Sequence, residues 1–237
     1  MAKKIEFIAA TPEIYLSEDP PKPAYQTLPE WFKKIPPEVS IEQHIGSTRD
    51  RSTVKKCVPF LDAMTAGYML CLPQDIEIKK VDGSTHIFWG VNRPNGSVLD
   101  MDTPAHRSAG LPVPEGYDKN IWRVTLYPRV RTPKGSSILV THPFNRYDLP
   151  FLTLSGVIDT DISVRPSVAN IYIKDNFEGI IEKGTPIAQI FPFVRQNWEH
   201  EIKEPLSEEE SEKERFKIMS KLVRSYQSQF WVKKSYK

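Results

Sequence analysis

Two stretches of the sequence decide the fold, Ser155-Gly-Val-Ile-Asp-Thr-Asp161 and the later Phe177-Glu-Gly-Ile-Ile-Glu-Lys-Gly-Thr-Pro-Ile-Ala-Gln-Ile-Phe191. In the first, Gly156 lets an extended segment bend. Asp159 and Asp161 then point to the same side, because side chains alternate between the two faces of a strand. Two carboxylates on one face are costly to bury without partners. We therefore expect them to face a cleft, a subunit junction or water.

The second stretch has the pattern of a buried strand that follows a turn. Lys183-Gly184 is a turn signal, and Thr185-Pro186 leads into an apolar run that ends at Phe191. Together the two stretches predict strands over 156–160 and 186–191 of one mainly β domain. Four side chains in these strands are expected to be mostly buried: Val157, Ile158, Ile187 and Ile190.

The composition narrows the class of protein. The chain has 237 residues, enough for one large β domain or two small ones. Its 32 basic and 30 acidic residues leave a net charge of +2, which does not favour a nucleic-acid partner. Cys57 and Cys71 are too few for a disulfide framework and predict small buried hydrophobes in a reducing compartment. No segment approaches the roughly 20 apolar residues of a membrane span, so we expect a cytoplasmic protein with no membrane partner.

Three regions of the chain differ in pattern. Residues 1–56 are rich in proline and contain one short helical turn around Trp31, which predicts an arm that wraps its own domain or a neighbouring subunit. Residues 57–198 alternate strand and turn signals. Residues 199–237 open with a capping box at Ser207–Glu210 and predict an amphipathic helix, packed on its own domain or on another chain. The apolar stripe of this helix is Phe216, Met219, Leu222, Val223, Tyr226 and Phe230.

A short polar segment lies between two apolar strands and contains His142, Asn145, Arg146 and Asp148. Arg146 can form a fork with a phosphate or carboxylate ligand, or it can neutralise Asp148 or Asp159 as a structural ion pair. His142 can contact a ligand or simply satisfy a hydrogen bond. No two histidines have the close spacing of a metal site, so we predict no metal-binding residues. The segment is a candidate ligand site with a structural role as the alternative.

Three blocks of sequence resemble one known superfamily. They are Thr65-Ala-Gly-Tyr-Met-Leu70, Thr132-Pro-Lys-Gly135 followed by Gly156-Val-Ile-Asp-Thr-Asp161, and Glu182-Lys-Gly-Thr-Pro-Ile-Ala-Gln-Ile190. In this order they are similar to the trimeric deoxyuridine triphosphatases and deoxycytidine triphosphate deaminases, over about residues 57–193. The resemblance implies a β-clip fold, a homotrimer and a pyrimidine nucleotide ligand, with Mg²⁺ as its companion ion.

The resemblance also implies roles for individual residues. Asp159 lies where the superfamily has its water-activating aspartate, and Asp161 is the second catalytic candidate. The backbone from Gly156 to Thr160 lies where the pyrimidine ring is recognised. Further ligand contacts are expected from the polar segment: His142, Asn145, Arg146 and Asp148.

Several departures from the superfamily pattern predict lost or altered catalysis. Met69 replaces the metal-associated aspartate of the first block, and Ile162 replaces the tyrosine that packs under the deoxyribose. Thr141-His-Pro-Phe-Asn-Arg146 stands in place of a phosphate-contacting Arg-Ser block. A charged segment from Ser207 onward replaces the glycine-rich arm that closes over the phosphates. For an enzyme, the expected activity is a pyrimidine deoxynucleotide hydrolase or a deaminase-like one.

The whole chain also resembles a group of proteins encoded by tailed phages and some bacteria. The shared elements are Cys57-Val-Pro-Phe60, Asp62-Ala-Met64, His142-Pro-Phe-Asn-Arg-Tyr-Asp148 and Lys183-Gly-Thr-Pro-Ile-Ala-Gln189. This resemblance implies a phage genome as the source and no particular activity. Two classes of function follow. One is a nucleotide-binding relative of the superfamily in the host cytoplasm, and the other is a non-enzymatic virion component or host-directed interaction protein.

Overall fold

The computed structural model describes residues 3–9, 20–44, 47–89, 99–102, 110–219, 231–232 and 234–236. This part of the chain is mainly β, as the sequence predicts. Its strands are β1 (Glu6–Ile8), β2 (Lys22–Pro23), β3 (Glu38–His44), β4 (Ser47–Ser52), β5 (Tyr68–Cys71), β6 (Ile76–Val81), β7 (Ser84–Trp89), β8 (Leu99–Asp102), β9 (Tyr117–Arg131), β10 (Ser136–Thr141), β11 (Phe151–Thr153), β12 (Gly156–Ile158), β13 (Pro166–Lys174), β14 (Gly179–Ile181) and β15 (Pro186–Val194). Its helices are α1 (Glu30–Lys34), α2 (Val58–Thr65) and α3 (Glu208–Met219).

The chain forms two compact units, Met1–Thr27 with Ala66–Arg195 and Leu28–Thr65 with Gln196–Lys237. The first unit holds three antiparallel sheets. In the first sheet the strands follow the order β1-β9-β13-β11, and β8 also pairs with β9. The second sheet has the order β12-β10-β15-β5-β2, and the third has the order β14-β6-β7. These short antiparallel strands agree with the many turn signals in the sequence.

The first and second sheets contact each other directly. The ring of Phe7 on β1 meets the ring of Tyr68 on β5 edge to face, with 5.2 Å between centroids. The hydroxyl of Thr153 on β11 donates to the carbonyl oxygen of Ile187 on β15, at 2.5 Å. Ile171, Ile187 and other branched aliphatic side chains in the two sheets are completely buried. Their burial supplies the hydrophobic core of this unit.

The second sheet collects the three blocks that carry the superfamily resemblance. The first block supplies β5, the second supplies β12, and the third supplies β15, with β10 between β12 and β15. Ile187 and Ile190 are completely buried, so the predicted burial of these two residues on β15 is confirmed. The blocks are therefore neighbours in space, although they are far apart along the chain.

Gly67 allows two of these blocks to approach closely. Its φ is +72°, a conformation that glycine adopts easily. A Cβ atom at this position would lie 2.1 Å from the carbonyl oxygen of Ile190, where no real contact is possible. The carbonyl of Gly67 also accepts a hydrogen bond from the N–H of Ala24 at 3.0 Å. Only glycine fits between β15 and the chain that enters β5.

The prediction for Val157 is wrong. Strand β12 ends at Ile158 rather than at Thr160, because the chain turns there and the N–H groups of Ile162 and Ser163 both bond to the carbonyl of Asp159. Val157 is 62% exposed, and Ile158 is half-buried. Strand β12 lies at the edge of the second sheet, and Val157 lies opposite Leu139 on the less covered face. An edge strand has fewer neighbours to bury its apolar side chains.

The second unit contains α1, the β3–β4 hairpin, α2 and α3. Helix α1 confirms the predicted turn, and its Phe32 is buried against Phe60 with 6.1 Å between ring centroids. The sequence predicts strands and turns from Cys57 onward, but residues Val58–Thr65 form α2. This run is short and mostly apolar, and periodicity cannot separate a helix from a strand in such a run.

Helix α3 begins with the predicted capping box. The N–H of Glu210 donates to the hydroxyl of Ser207 at 3.3 Å, and the N–H of Ser207 donates back to the carboxylate of Glu210 at 3.1 Å. Phe216 is 74% exposed, and the predicted stripe beyond Met219 lies outside the described residues. No helix in the described ranges combines the length and apolar character that a membrane span requires.

Replacing Gly67 by alanine tests the close approach of the blocks. Gly67→Ala is expected to lower the free energy of unfolding by roughly 2 to 5 kcal/mol. The strain of a positive φ in alanine and the clash of its Cβ atom with the Ile190 carbonyl both contribute to this loss. Gly83→Ala is the matched control, since Gly83 has φ +75° but nothing within 4 Å of a Cβ atom. The control is expected to lose only about 1 to 2 kcal/mol. Equal losses in denaturant titrations of the two variants would contradict the packing assigned to Gly67.

Candidate functional site

Three segments of the second sheet bring two aspartates and an arginine together. The turn before β10 supplies Gly135, the chain after β12 supplies Asp159 and Asp161, and Arg195 follows the end of β15. The N–H of Arg195 donates to the carbonyl of Gly135 at 2.8 Å, which fixes the arginine beside the turn. We call Ser137, Asp159, Asp161 and Arg195 the carboxylate cluster.

Asp161 is held by a two-pronged contact with Arg195. Nη1 of Arg195 donates to Oδ1 of Asp161 at 2.9 Å, and Nη2 donates to Oδ2 at 2.6 Å. The N–H of Gly135 adds a third bond to Oδ2 at 2.7 Å. The side chain of Asp161 is only 4% exposed. The hydrogen bonds from Arg195 hold its pKa at about 2, below the ordinary value of 3.8.

Asp159 differs from Asp161 because one of its oxygens remains open. Oδ1 accepts a bond from the hydroxyl of Ser137 at 2.6 Å and lies 3.2 Å from Nη1 of Arg195. Within the described ranges, Oδ2 accepts no hydrogen bond. The side chain is 54% exposed. Asp159 therefore presents one oriented carboxylate oxygen to solvent. The expectation that both carboxylates face a cleft, a subunit junction or water holds for Asp159 but is wrong for Asp161, whose side chain lies nearly buried against Arg195.

The neighbouring candidates Gly156 and Thr160 take different positions. Thr160 is buried, and its hydroxyl shares a 2.7 Å hydrogen bond with that of Thr132. It thus fastens the chain after β12 to the turn before β10. Gly156 is exposed and pairs with Val140 at the start of the edge strand. The site combines an exposed strand edge with an oriented carboxylate.

The polar segment of residues 142–148 lies apart from the carboxylate cluster and is largely closed. Nε of Arg146 lies 2.9 Å from Oδ1 of Asp148, and its Nη2 lies 3.0 Å from Oδ2, so the two side chains form a fork. The side chain of Arg146 is 11% exposed and that of Asp148 is 39% exposed. Of the two alternatives, the geometry favours the ion pair with Asp148. Asn145 lies in the same loop with a positive φ of 60°.

His142 is fully hydrogen-bonded within the same segment. Its Nδ1 accepts a bond from the N–H of Thr153 at 3.2 Å, and its Nε2 lies 3.1 Å from the carbonyl oxygen of Arg146. Its ring also meets the ring of Phe151 at 5.9 Å. Burial lowers the pKa of His142 below its ordinary value of 6.5. Neither ring nitrogen has a bond left for a ligand.

Two features of the structure escape sequence reasoning. Arg195 lies beyond the third block, and only the register of β15 against β10, which places Val194 opposite Ser136, brings it to the aspartates. The signal available in the sequence is the pair of carboxylates, which needs a nearby cation. The second feature is a buried contact between Lys80, Thr85 and Asp118, in which the Lys80 ammonium lies 3.3 Å from Asp118.

The contact that joins Lys80, Thr85 and Asp118 serves to hold the structure together. Burial of Asp118 would raise its pKa, but hydrogen bonds from the Thr85 hydroxyl, the Asn120 N–H and Lys80 outweigh burial and lower it. Thr85 is 3% exposed and Asp118 is 7% exposed. This contact joins β6, β7 and β9 and offers no open group to a ligand.

The described residues do not fit a preformed site for Mg²⁺. They contain no group of three or more His, Cys, Asp or Glu side chains placed to hold a metal ion. In the carboxylate cluster, Arg195 occupies the position between the two aspartates that a cation would need. A metal ion would therefore have to displace an arginine that already neutralises Asp161.

No protein-family model matches the chain, and no curated protein or solved structure matches it either. The resemblance to the nucleotide enzymes therefore remains an expectation from the sequence blocks.

Removing Arg195 tests the electrostatics of the cluster. In Arg195→Ala the pKa of Asp161 is expected to rise from about 2 toward 3.8, because its main hydrogen-bond donors are lost. A carbon-13 NMR titration of the aspartate carboxyls measures this change. The wild type gains stability from Asp161 at all pH values above 3.8 and loses it as the pH falls toward 2. Arg165→Ala is the control, because Arg165 is an exposed arginine in the loop between β12 and β13 that also contains Asp161. An unchanged Asp161 titration in Arg195→Ala would refute the contact.

Proposed function

We propose that this chain is a phage-encoded pyrimidine nucleotide-binding protein of the β-clip type, with lost or altered catalysis. The observation that carries the proposal is the open Oδ2 of Asp159 beside an edge strand, in the segment that resembles the base-recognising block of the superfamily. Asp159 is half-exposed and oriented by two donors, Ser137 and Arg195. A rigidly held acceptor at the surface is suited to recognising a donor on a ligand.

The edge strand supplies the complementary groups for a pyrimidine. The rim of a pyrimidine base alternates hydrogen-bond donors and acceptors, and the open side of a β-strand presents N–H and C=O groups in alternation. Among the residues that the structure describes, strand β12 pairs on one side only, with β10. At Gly156 a Cβ atom would meet nothing within 4 Å, so a planar ring has room to approach the backbone. This geometry supports our proposal of a base as the ligand.

Ligand binding and catalytic turnover place different demands on the side chains of the proposed site. Arg146 is the phosphate ligand expected from the sequence, but it already forms a fork with Asp148 and is mostly buried. Oδ1 of Asp159 is occupied, which leaves Oδ2 as the only oxygen able to take a proton from water. We infer that the base contributes most of the affinity and that any hydrolysis or deamination is slow.

Nucleotide binding is testable by thermal shift. Deoxyuridine and deoxycytidine phosphates, with and without Mg²⁺, are expected to raise the melting temperature, since a ligand at one hundred times its Kd adds about 2.7 kcal/mol of stability.

Asp159→Asn is expected to keep the fold and abolish any turnover, because an amide cannot accept a proton from water.

Arg146→Ala serves as the contrasting variant. It leaves Asp148 without its fork and is expected to lower the unfolding free energy by roughly 1 to 3 kcal/mol, because the pair is only partly buried. Nucleotide affinity, corrected for this loss, is expected to stay within a factor of two. A large loss of affinity in Arg146→Ala, with none in Asp159→Asn, would move the ligand site to the polar segment. If no nucleotide changes the melting temperature of the wild type, the proposal is wrong.

A second candidate function is a non-enzymatic interaction protein, either a virion component or a host-directed one. The observation in its favour is exposed apolar surface. Tyr147, Val157 and Ile162 are 80%, 62% and 78% exposed, and Trp198 and Ile202 are 83% and 93% exposed. Exposed apolar groups of this size favour contact with another chain. A homotrimer would cover part of this surface and agrees with the resemblance.

Light scattering tests the assembly. A trimer of the 27.2 kDa chain is expected at about 82 kDa, which is three times 27.2. Val157→Lys is expected to weaken the assembly, because a charged residue on an edge strand opposes pairing with another chain. Ile180→Lys, at a residue that is 60% exposed on β14, is the matched control. A stable monomer at micromolar concentration would refute the trimer.

A further inference from the structure

One histidine lies at the base of the loop from Pro143 to Pro150. The loop connects β10 to β11, and His142 is the first residue after β10. The two nitrogens of its ring reach in different directions. One lies 3.2 Å from the N–H of Thr153 on β11, and the other lies 3.1 Å from the carbonyl oxygen of Arg146 within the loop. The imidazole thus joins the loop to the strand that follows it.

The partners of the ring fix its protonation state. The backbone N–H of Thr153 can only donate, so Nδ1 must accept and carries no hydrogen. The carbonyl of Arg146 can only accept, so Nε2 must carry the hydrogen. Both bonds are therefore compatible only with the neutral ring in which Nε2 is protonated. A second proton on Nδ1 would point an N–H at the N–H of Thr153 and would break the bond to β11.

We propose that His142 is an acid-sensitive latch, which holds the Pro143–Pro150 loop against β11 when neutral and releases the loop when protonated. Protonation would break the bond between Nδ1 and Thr153, whereas the Nε2–H would keep donating to the Arg146 carbonyl, so the imidazole and its loop would part from β11 together. This inference concerns the loop alone and does not depend on nucleotide binding at Asp159.

The surroundings of the ring agree with a latch. The charged groups that act on it are Arg146 and Asp148 from its own loop and Lys174 from β13. Burial lowers the pKa of His142 most strongly, and the charges of Arg146 and Lys174 lower it further. The hydrogen bond to the Arg146 carbonyl and the charge of Asp148 raise it, but they do not outweigh the lowering. The ammonium of Lys174 donates to the carbonyl of Tyr147 at 3.1 Å, so a cation is already fixed to the loop. This ammonium would repel a second positive charge at His142.

The sign of the pH dependence follows from the lowered pKa. The open loop has a histidine near its ordinary pKa of about 6.5, and the closed loop has one below that value. Closure is therefore at full strength above pH 6.5 and weakens as the pH falls toward the lowered pKa. In that interval opening becomes about tenfold more favourable for each pH unit.

Amide hydrogen exchange of Thr153 measures the latch in the whole protein. After correction for the intrinsic rate, exchange in the wild type is expected to accelerate about tenfold per pH unit below 6.5. In His142→Asn the acceptor toward Thr153 is kept without a titrating group, and the acceleration is expected to disappear. His86→Gln, at an exposed histidine on β7, is the matched control and is expected to behave as the wild type.

Two results would overturn the latch. The first is Thr153 exchange in the wild type that is independent of pH, and this measurement needs no variant. The second is an acid response that persists in His142→Asn. If that persistent response vanishes in Asp148→Asn, the titration belongs to the carboxylate. Nitrogen-15 NMR of the His142 ring adds a direct check, since the latch requires the Nε2-protonated form at neutral pH.

Discussion

The buried side-chain amide of Gln189 is the interaction on which the arrangement of the second sheet depends. Its Nε2 donates to the carbonyl of Ala66 at 2.7 Å, and its Oε1 accepts a bond from the N–H of Phe144 at 2.9 Å. Gln189 is completely buried, so these bonds satisfy an amide that has no access to water. One side chain on β15 thereby holds the chain entering β5 and the loop after β10. Gly67, beside Ala66, supplies the room for this contact.

With these segments fixed, the polar residues of the sheet divide into two sets with different character. Around Arg146 the donors and acceptors are paired among themselves, through the fork with Asp148 and the two bonds of His142. Around Arg195 the pairing is incomplete, because two carboxylates share one cation and Asp159 keeps an open oxygen. Closed polar networks specify a structure, whereas an oriented and open acceptor is available to a ligand. This contrast is why we propose Asp159, and not Arg146, as the ligand contact.

The sequence predicts the local features of this fold well and the long-range ones poorly. The strand β15, the burial of Ile187 and Ile190 and the capping box at Ser207 follow from patterns within a few residues. The exposure of Val157 depends on which strand lies at the edge of the sheet, and the partner of Asp161 depends on the register between β10 and β15. Neither is encoded in the neighbouring residues. The same limit left the pairing of Arg146 open between Asp148 and Asp159, which local spacing could not decide.

The most direct test of the proposed ligand site is the location of a bound pyrimidine nucleotide on the isotope-labelled protein. Amide shifts recorded by NMR during a titration with deoxyuridine monophosphate report where the ligand lies. We expect changes at Val157 on the edge strand, at Asp159 just after it and at Ser137 beside it, with the loop from Asn145 to Asp148 unaffected. Changes confined to that loop, or no changes up to millimolar nucleotide, would contradict the proposed site.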